Sequence, residues 1–486
     1  MLAIIEAIPI SIFLTESIPL PSQRSRFVCR QCGEVSSKWF GRCPSCGEWN
    51  TLVEEIEARG SERRRTASAV STGTRSVAVA AAVTLEEERH HLGVGELDRV
   101  FGGGIVRGSL VLVGGEPGVG KSTLMLQIAS LYAARCGSVL YVSGEESVAQ
   151  VAMRARRLGA LHDRLRLLSE SRVEVIEEVI AAEEPRLVVI DSIQTMLHPD
   201  VDGGAGSVAQ VRECCQFLGR IGKERGISVL FVGHVTKQGT LAGPKVLEHA
   251  VDVVLSVEGD EHTAIRFLRA AKNRFGSTQE VGIFEMTKVG LKPVDNPSEL
   301  FLAERLVKSP GSVVTASREG TRPLLIEVQA LVAPTAFGGT PRRQVAGVEY
   351  NRVSIILAVL ERRVGIPLQT QDVYVNVAGG VKAFEPACDL AIALAVASSF
   401  YGHPVDPATI AFGEVGLGGE VRSVGHAAER LSEAARLGFR RAVVPRRVAD
   451  ERAGGLEVRG VRSVEEAISL ELAGVRRRGF GDEGRG

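Results

Sequence analysis

Two stretches of this 486-residue sequence hold residue types that could do chemistry at a fixed spacing. The first is Cys29-x2-Cys32-x10-Cys43-x2-Cys46. Two pairs of thiols can close a tetrahedral sulfur shell around Zn2+ and leave no position for water, so such a site is structural. Gly33 and Gly47 directly follow the two knuckles and suit the tight turns these need. A segment this short buries too little apolar surface to fold alone. Metal binding, roughly 10 to 16 kcal/mol in comparable peptides, would supply its folding free energy. The remaining cysteines, Cys136, Cys214, Cys215 and Cys388, are scattered and read as core positions. Sparse cysteines in a long chain fit a reducing compartment, the cytoplasm, better than a disulfide framework.

The second stretch is Gly115-Glu116-Pro117-Gly118-Val119-Gly120-Lys121-Ser122, with Thr123 next in line. It follows an apolar strand pattern and opens a helical one, the order required of a phosphate-binding loop. Its glycines let backbone N–H groups approach the phosphates of ATP, Lys121 neutralises the β and γ groups, and Ser122 ligates Mg2+. Three more strand patterns end in polar residues. SVLYVS runs into Glu145-Glu146, either of which could orient an attacking water. LVVID delivers Asp191, with Ser192 beside it, where a carboxylate holds magnesium through water. ISVLFVG delivers His234 and Thr236, which could sense the γ-phosphate.

The elements that must position these residues follow from length and pattern. A chain of 486 residues exceeds the size of one core, and 44% hydrophobic with 24% charged residues describes an ordinary globular protein. Lysine plus arginine equals aspartate plus glutamate at 58 each, so any surface for a polyanion must be local. Residues 1–26 begin with an apolar run interrupted by Glu6, Pro9, Glu16, Pro19 and Pro21, which is neither a signal peptide nor a membrane span. They read as a mis-assigned start or a disordered extension. Residues 27–52 form the cysteine unit and 53–84 a charged linker. In 85–296, near-continuous β-branched runs alternate with helical stretches, which implies a parallel sheet covered on both faces. Residues 297–310 read as a second linker, 311–475 as a further domain and 476–486 as a disordered tail.

Beyond the phosphate loop the residues carry a resemblance. Gly233-His234-Val235-Thr236-Lys237, then Leu241-Ala242-Gly243-Pro244-Lys245-Val246-Leu247-Glu248-His249, then Lys272-Asn273-Arg274-Phe275-Gly276 resemble the RadA branch of the RecA-fold ATPases, over about residues 27–445. The resemblance implies a homo-oligomeric ring, six subunits, encircling DNA, with ATP at each interface. It also implies that Lys272 and Arg274 reach the neighbouring subunit's nucleotide. Cations supplied in this way are worth about 10³ to 10⁵ in rate in other NTPases. It further implies a role in homologous recombination on single-stranded and branched DNA, extending heteroduplex alongside the RecA recombinase.

The region 311–475 resembles the proteolytic domain of Lon. Lon-type cleavage needs a serine with a lysine base, but Ala387 and Ala428 stand at those two positions. Cys388 lies one place along, on an apolar helix pattern (Leu390, Leu394, Ala397), and reads as a core residue. The basic pairs Arg342-Arg343, Arg362-Arg363 and Arg440-Arg441, with Lys382, are candidate DNA surfaces. The expected fold class is α/β: a RecA-like P-loop core with a parallel-rich sheet, preceded by a four-cysteine zinc ribbon and followed by an α+β Lon-protease-like domain. The expected function is a DNA-dependent ATPase without a membrane. The competing readings are a KaiC-like regulatory ATPase acting on protein partners, which Glu145-Glu146 would suit equally, and an ATP-dependent protease.

Overall fold

The computed structural model describes residues 25–29, 31–56, 88–233, 246–259, 263–336 and 339–472. The N-terminal extension and the tail lie outside them, as does most of the first linker. The chain divides into two compact units, the ribbon and the large body that follows it. In the ribbon, β1 (Ser25–Cys29) pairs antiparallel with β2 (Val35–Ser36) and β3 (Leu52–Ile56). Among the described residues its apolar cluster is Cys29, Cys43 and Leu52 with Phe27 and Cys32 packed against them, too small a core to hold the fold without a metal.

The large body opens with β4 (Arg89–His90), α1 (Gly95–Phe101) and β5 (Ile105–Val106). Then come β6 (Leu110–Gly115), α2 (Lys121–Arg135), β7 (Val139–Ser143), α3 (Val148–Arg157), β8 (Leu165–Ser169), α4 (Val173–Glu183) and β9 (Leu187–Asp191). After α5 (Val208–Arg225), β10 (Ser228–Val232) and α6 (Val246–Ala250) lie β11 (Val253–Glu258), β12 (Ile265–Asn273), β13 (Val281–Thr287) and β14 (Gly290–Pro293). One sheet orders these strands β14-β13-β12-β11-β6-β10-β9-β7-β8. From β11 to β8 every pair is parallel, whereas β12, β13 and β14 return antiparallel. β6, β7 and β10 are buried along their whole length because both sheet faces are covered.

The segment read as a second linker begins with a helix, α7 (Pro297–Leu302), whose Asn296 cap accepts from Glu299 N–H. Ser298 is fully buried, accepts from Leu325 N–H at 3.0 Å and donates to Glu433 at 2.8 Å. The joint is therefore packed, which a Ser/Pro-rich string does not announce. Beyond it run β15 (Ser312–Glu319), β16 (Arg322–Pro334), β17 (Arg343–Ala346), α8 (Tyr350–Val359), β18 (Gln371–Val377), α9 (Asp389–Tyr401), β19 (Thr409–Ala411), β20 (Glu414–Val415), β21 (Val421–Arg422), α10 (Ala427–Arg436), β22 (Arg441–Pro445), β23 (Glu457–Val461) and α11 (Val464–Glu471). Seven of these strands form a mixed sheet in the order β17-β18-β16-β15-β19-β22-β23. The fold class is thus the expected one, an α/β core with a parallel-rich sheet, a ribbon before it and an α+β domain after it.

The core and the C-terminal domain are not merely tethered. Ile265, Val281 and Ile283 of the antiparallel extension sit in the same apolar cluster as Val313, Leu324 and Ile326 of the C-terminal sheet. Each such side chain contributes roughly 1.5 to 3 kcal/mol by burial. Glu96 on α1, 5% exposed, accepts from Ile283 N–H at 2.9 Å and from both approaches of Arg322 Nη1 at 2.8 and 2.9 Å. Arg269 on β12 meets Glu319 on β15 at 2.7 Å. Core and C-terminal domain should therefore unfold together: circular dichroism and loss of nucleotide binding will follow one denaturant transition. Glu96→Ala, which strands Arg322, will lower it by about 3 kcal/mol.

Candidate functional site

The ribbon's four thiols converge. All four Sγ atoms lie within 4.8 Å of one another, with Cys29 to Cys46 at 3.8 Å and Cys32 to Cys43 at 3.5 Å. A Zn–S bond of about 2.3 Å in a tetrahedron places its sulfurs about 3.8 Å apart, so the cage fits zinc. The two knuckles are copies of each other. Gly33 N–H bonds to Cys29 O at 2.8 Å and Gly47 N–H to Cys43 O at 3.0 Å, and both glycines have φ of 75°. Burial pushes the Cys32 thiol up to about 12, whereas the Thr51 hydroxyl and nearby N–H groups outweigh burial at Cys29 and draw it down to about 6. Zinc is the cofactor of this ribbon, held by Cys29, Cys32, Cys43 and Cys46.

The second cluster lies where the parallel strands end. The loop from Gly115 to Gly120 joins β6 to α2, and Gly118 and Gly120 take φ of 80° and 110°, which a side chain would resist. Gly115 approaches β11 so closely that a Cβ would meet Val257 O at 2.6 Å. Lys121 is 5% exposed, and its ammonium donates to Gly115 O and Glu116 O, both at 2.8 Å. Burial lowers its pKa, while the negative charges of Asp191 and Glu145 raise it. Ser122 and Thr123 open α2 half-buried. Leu124 and Ile128 of the same helix are buried in the core beneath.

Asp191 ends β9 in register with Ser143 of β7 and accepts a 2.6 Å hydrogen bond from the hydroxyl of fully buried Tyr141. Ser192, 1% exposed, donates to Glu145 Oε1 at 3.0 Å. The neighbouring Glu146 turns the other way, into a 2.5 Å ion pair with Arg154 of α3. One edge thus gathers Lys121, Ser122, Asp191, Ser192 and Glu145. Tyr141 and Arg154 were missed by the sequence reading, and only the pleat and the following helix reveal them. His234 and Thr236 lie outside the described residues.

Lys272 and Arg274 are not brought to this edge. Lys272 on β12 pairs with Val254, which pairs with Leu112, three residues before the loop begins. Its ammonium is tied to Glu248 O and Val251 O at 2.6 and 2.7 Å. Arg274, beyond the strand, pairs at 3.1 Å with Asp252, whose other oxygen caps Leu110 N–H at the entry of β6. Burial and the Arg274 charge lower the pKa of Lys272.

In the C-terminal domain Ala387 is buried, whereas Ala428 is exposed on α10. Cys388 is fully buried, which pushes its thiol up to about 12. The nearby polar contacts are occupied by Arg430, which pairs with Glu385 at 2.7 Å and donates to Ala316 O.

Comparison with known proteins agrees with this architecture. Residues 94–240 match the family described as AAA domain, 27–54 the rubredoxin metal binding domain and 334–448 subunit ChlI of Mg-chelatase. DNA repair protein RadA of Bacillus subtilis is 52% identical over 455 residues, 93% of this chain and 99% of that protein. Those of Halalkalibacterium halodurans and Listeria monocytogenes are 50% and 49% identical over 93% and 92% of this chain, and 100% and 98% of their own. Among solved structures, flagellar accessory protein FlaH from Methanocaldococcus jannaschii aligns with 43% of this chain and 99% of its own at 18% identity. Its TM-score of 0.35 is too low to bear on the fold.

Two outcomes follow. The purified protein will carry about one zinc per chain by metal analysis, and Cys32→Ser will lose it. Lys121→Ala will abolish ATP turnover while leaving zinc content unchanged. A phosphate loop and a strand-end aspartate at one sheet edge, a four-cysteine ribbon earlier in the sequence, and near full-length similarity of the chain to these relatives make this chain a member of the RadA family of RecA-fold ATPases, with ATP, Mg2+ and Zn2+ as its cofactors.

Proposed function

We propose that this chain is a DNA-dependent ATPase of homologous recombination and DNA repair, driving branch migration or heteroduplex extension beside the RecA recombinase. The DNA reading is carried by near full-length similarity to proteins named DNA repair protein RadA. Single-stranded and branched DNA are its proposed partners, and the cytoplasm its place of action. Among the described residues no helix is long and apolar enough to cross a membrane.

In the proposed mechanism Lys121 releases its two loop carbonyls and turns its charge to the β and γ phosphates. Magnesium, when bound with ATP, spreads the developing phosphate charge; Ser122 and Asp191 are the residues that would hold it. Tyr141 orients Asp191 by its hydrogen bond. Of the paired glutamates, Glu145 is the base that orients water, because it accepts from Ser192 and its charge acts on Lys121, while Glu146 is neutralised by Arg154. Lys272 and Arg274 act on the neighbour's ATP. This assignment is supported by their anchorage away from their own phosphate loop, and it calls for a head-to-tail ring, proposed to be a hexamer.

The C-terminal domain is proposed to be proteolytically inactive. Alanines occupy both dyad positions, Cys388 is buried as a thiol, and an Arg430–Glu385 pair fills the neighbourhood. Its roles are then assembly and DNA contact.

ATP hydrolysis will rise with single-stranded DNA, and the stimulation will collapse between about 50 and 200 mM salt as phosphate contacts are screened. Hydrolysis indifferent to DNA would favour a regulatory ATPase acting on proteins. Glu145→Gln will lower kcat by about 10² or more with ATP binding retained, whereas Glu146→Gln will stay within about threefold of the parent in single-turnover assays.

A further inference from the structure

The floor of the phosphate loop holds a second buried cation. Arg266 on β12 is 7% exposed, and its Nε donates to Val119 O of the loop at 3.1 Å. Its Nη1 donates to Thr263 O at 2.6 Å and Ile265 O at 2.9 Å, next to the β11–β12 turn. Gly259 clears the space for this side chain, since a Cβ there would collide with Arg266 Cδ. Across the strand pair, a Cβ at Gly120 would collide with Met286 Cε, so the loop rests directly on β12 and β13.

A trans peptide is planar, and its C=O and N–H point in opposite directions. Holding the Val119 carbonyl toward Arg266 therefore fixes the Gly120 N–H on the opposite side of that peptide, away from Arg266. That N–H has no acceptor among the described residues. The restraint is needed because Gly118 and Gly120 both sit in the left-handed region, where glycine rotates with little penalty. Without a donor beneath it, the Val119–Gly120 peptide could turn over, presenting a carbonyl to the phosphates in place of an N–H. Lys121 restrains Gly115 O and Glu116 O, and Arg266 restrains Val119 O.

We propose that Arg266 is a positioning residue for ATP: through the Val119 carbonyl it locks the loop with its N–H groups turned to the β-phosphate. The cradle contacts phosphates that are present both in bound ATP and during transfer. Its loss therefore weakens ground state and transition state alike, raising KM with little change in kcat.

The test uses the full-length, zinc-loaded protein without DNA, so it is independent of the DNA-motor reading. Arg266→Gln removes the guanidinium, and Arg266→Lys keeps the charge with fewer directed donors. The expected result is a KM for ATP raised about ten- to hundredfold in Arg266→Gln, with kcat at saturating ATP within about threefold of the parent and partial recovery of KM in Arg266→Lys. Nucleotide-induced thermal stabilisation will shrink in the same order. An unchanged KM in Arg266→Gln, or a loss confined to kcat, overturns the proposal. If Arg266→Gln does not fold, Arg266→Lys decides alone: a KM raised about threefold or more at near-parental kcat supports the role, and a parental KM refutes it.

Discussion

A parallel sheet buried on both faces delivers every strand's C-terminus to one edge, and the chemistry of this protein depends on that constraint. β6 ends in the phosphate loop, β7 in Glu145 and β9 in Asp191 because all three run the same way. The antiparallel return of β12 obeys the same geometry in reverse. Its first residues, Arg266 among them, lie under the phosphate loop, and its last, Lys272 and the following Arg274, lie at the opposite edge. One strand thus touches the site of its own chain at one end and offers cations away from it at the other.

That strand also joins the core to the rest of the chain. Arg269, between the two ends, pairs with Glu319 of β15, and Ile265 shares an apolar cluster with the C-terminal sheet. Burial raises the Glu319 pKa and the Arg269 charge opposes it, so the pair sits where leaving either partner alone would be costly. A displacement of β12 would be felt at the phosphate loop, at the C-terminal domain and at the cations beyond Asn273. The ribbon, a separate compact unit, takes its stability from zinc.

Local chemistry was legible in the sequence, and long-range register was not. The four cysteines, the loop from Gly115 to Ser122 and Asp191 could be read because each function needs a contiguous string or a short fixed spacing. Glu145 and Glu146 are adjacent, so nothing in the sequence separates them. What distinguishes them is their partners, Ser192 and Arg154, reached across a strand and along a helix. Arg266 reads as one polar residue in a strand pattern, and its contact with Val119 spans 147 positions. Residues 297–310 read as a linker between two stretches of alternating strands and helices. Asn296 and Pro297 instead cap and start a helix there, and the buried Phe301 packs it against the body.

In the proposed ring each ATP site is shared between neighbouring chains. Lys121→Ala lacks a working loop and Arg274→Ala lacks the reaching cation, so each is inactive alone, but co-expressed and co-purified chains of both kinds will form some interfaces that are intact. Such mixed assemblies will recover about a quarter of parental hydrolysis, the share of head-to-tail interfaces that pair an intact loop with an intact cation. Mixed assemblies no more active than either variant alone would contradict it.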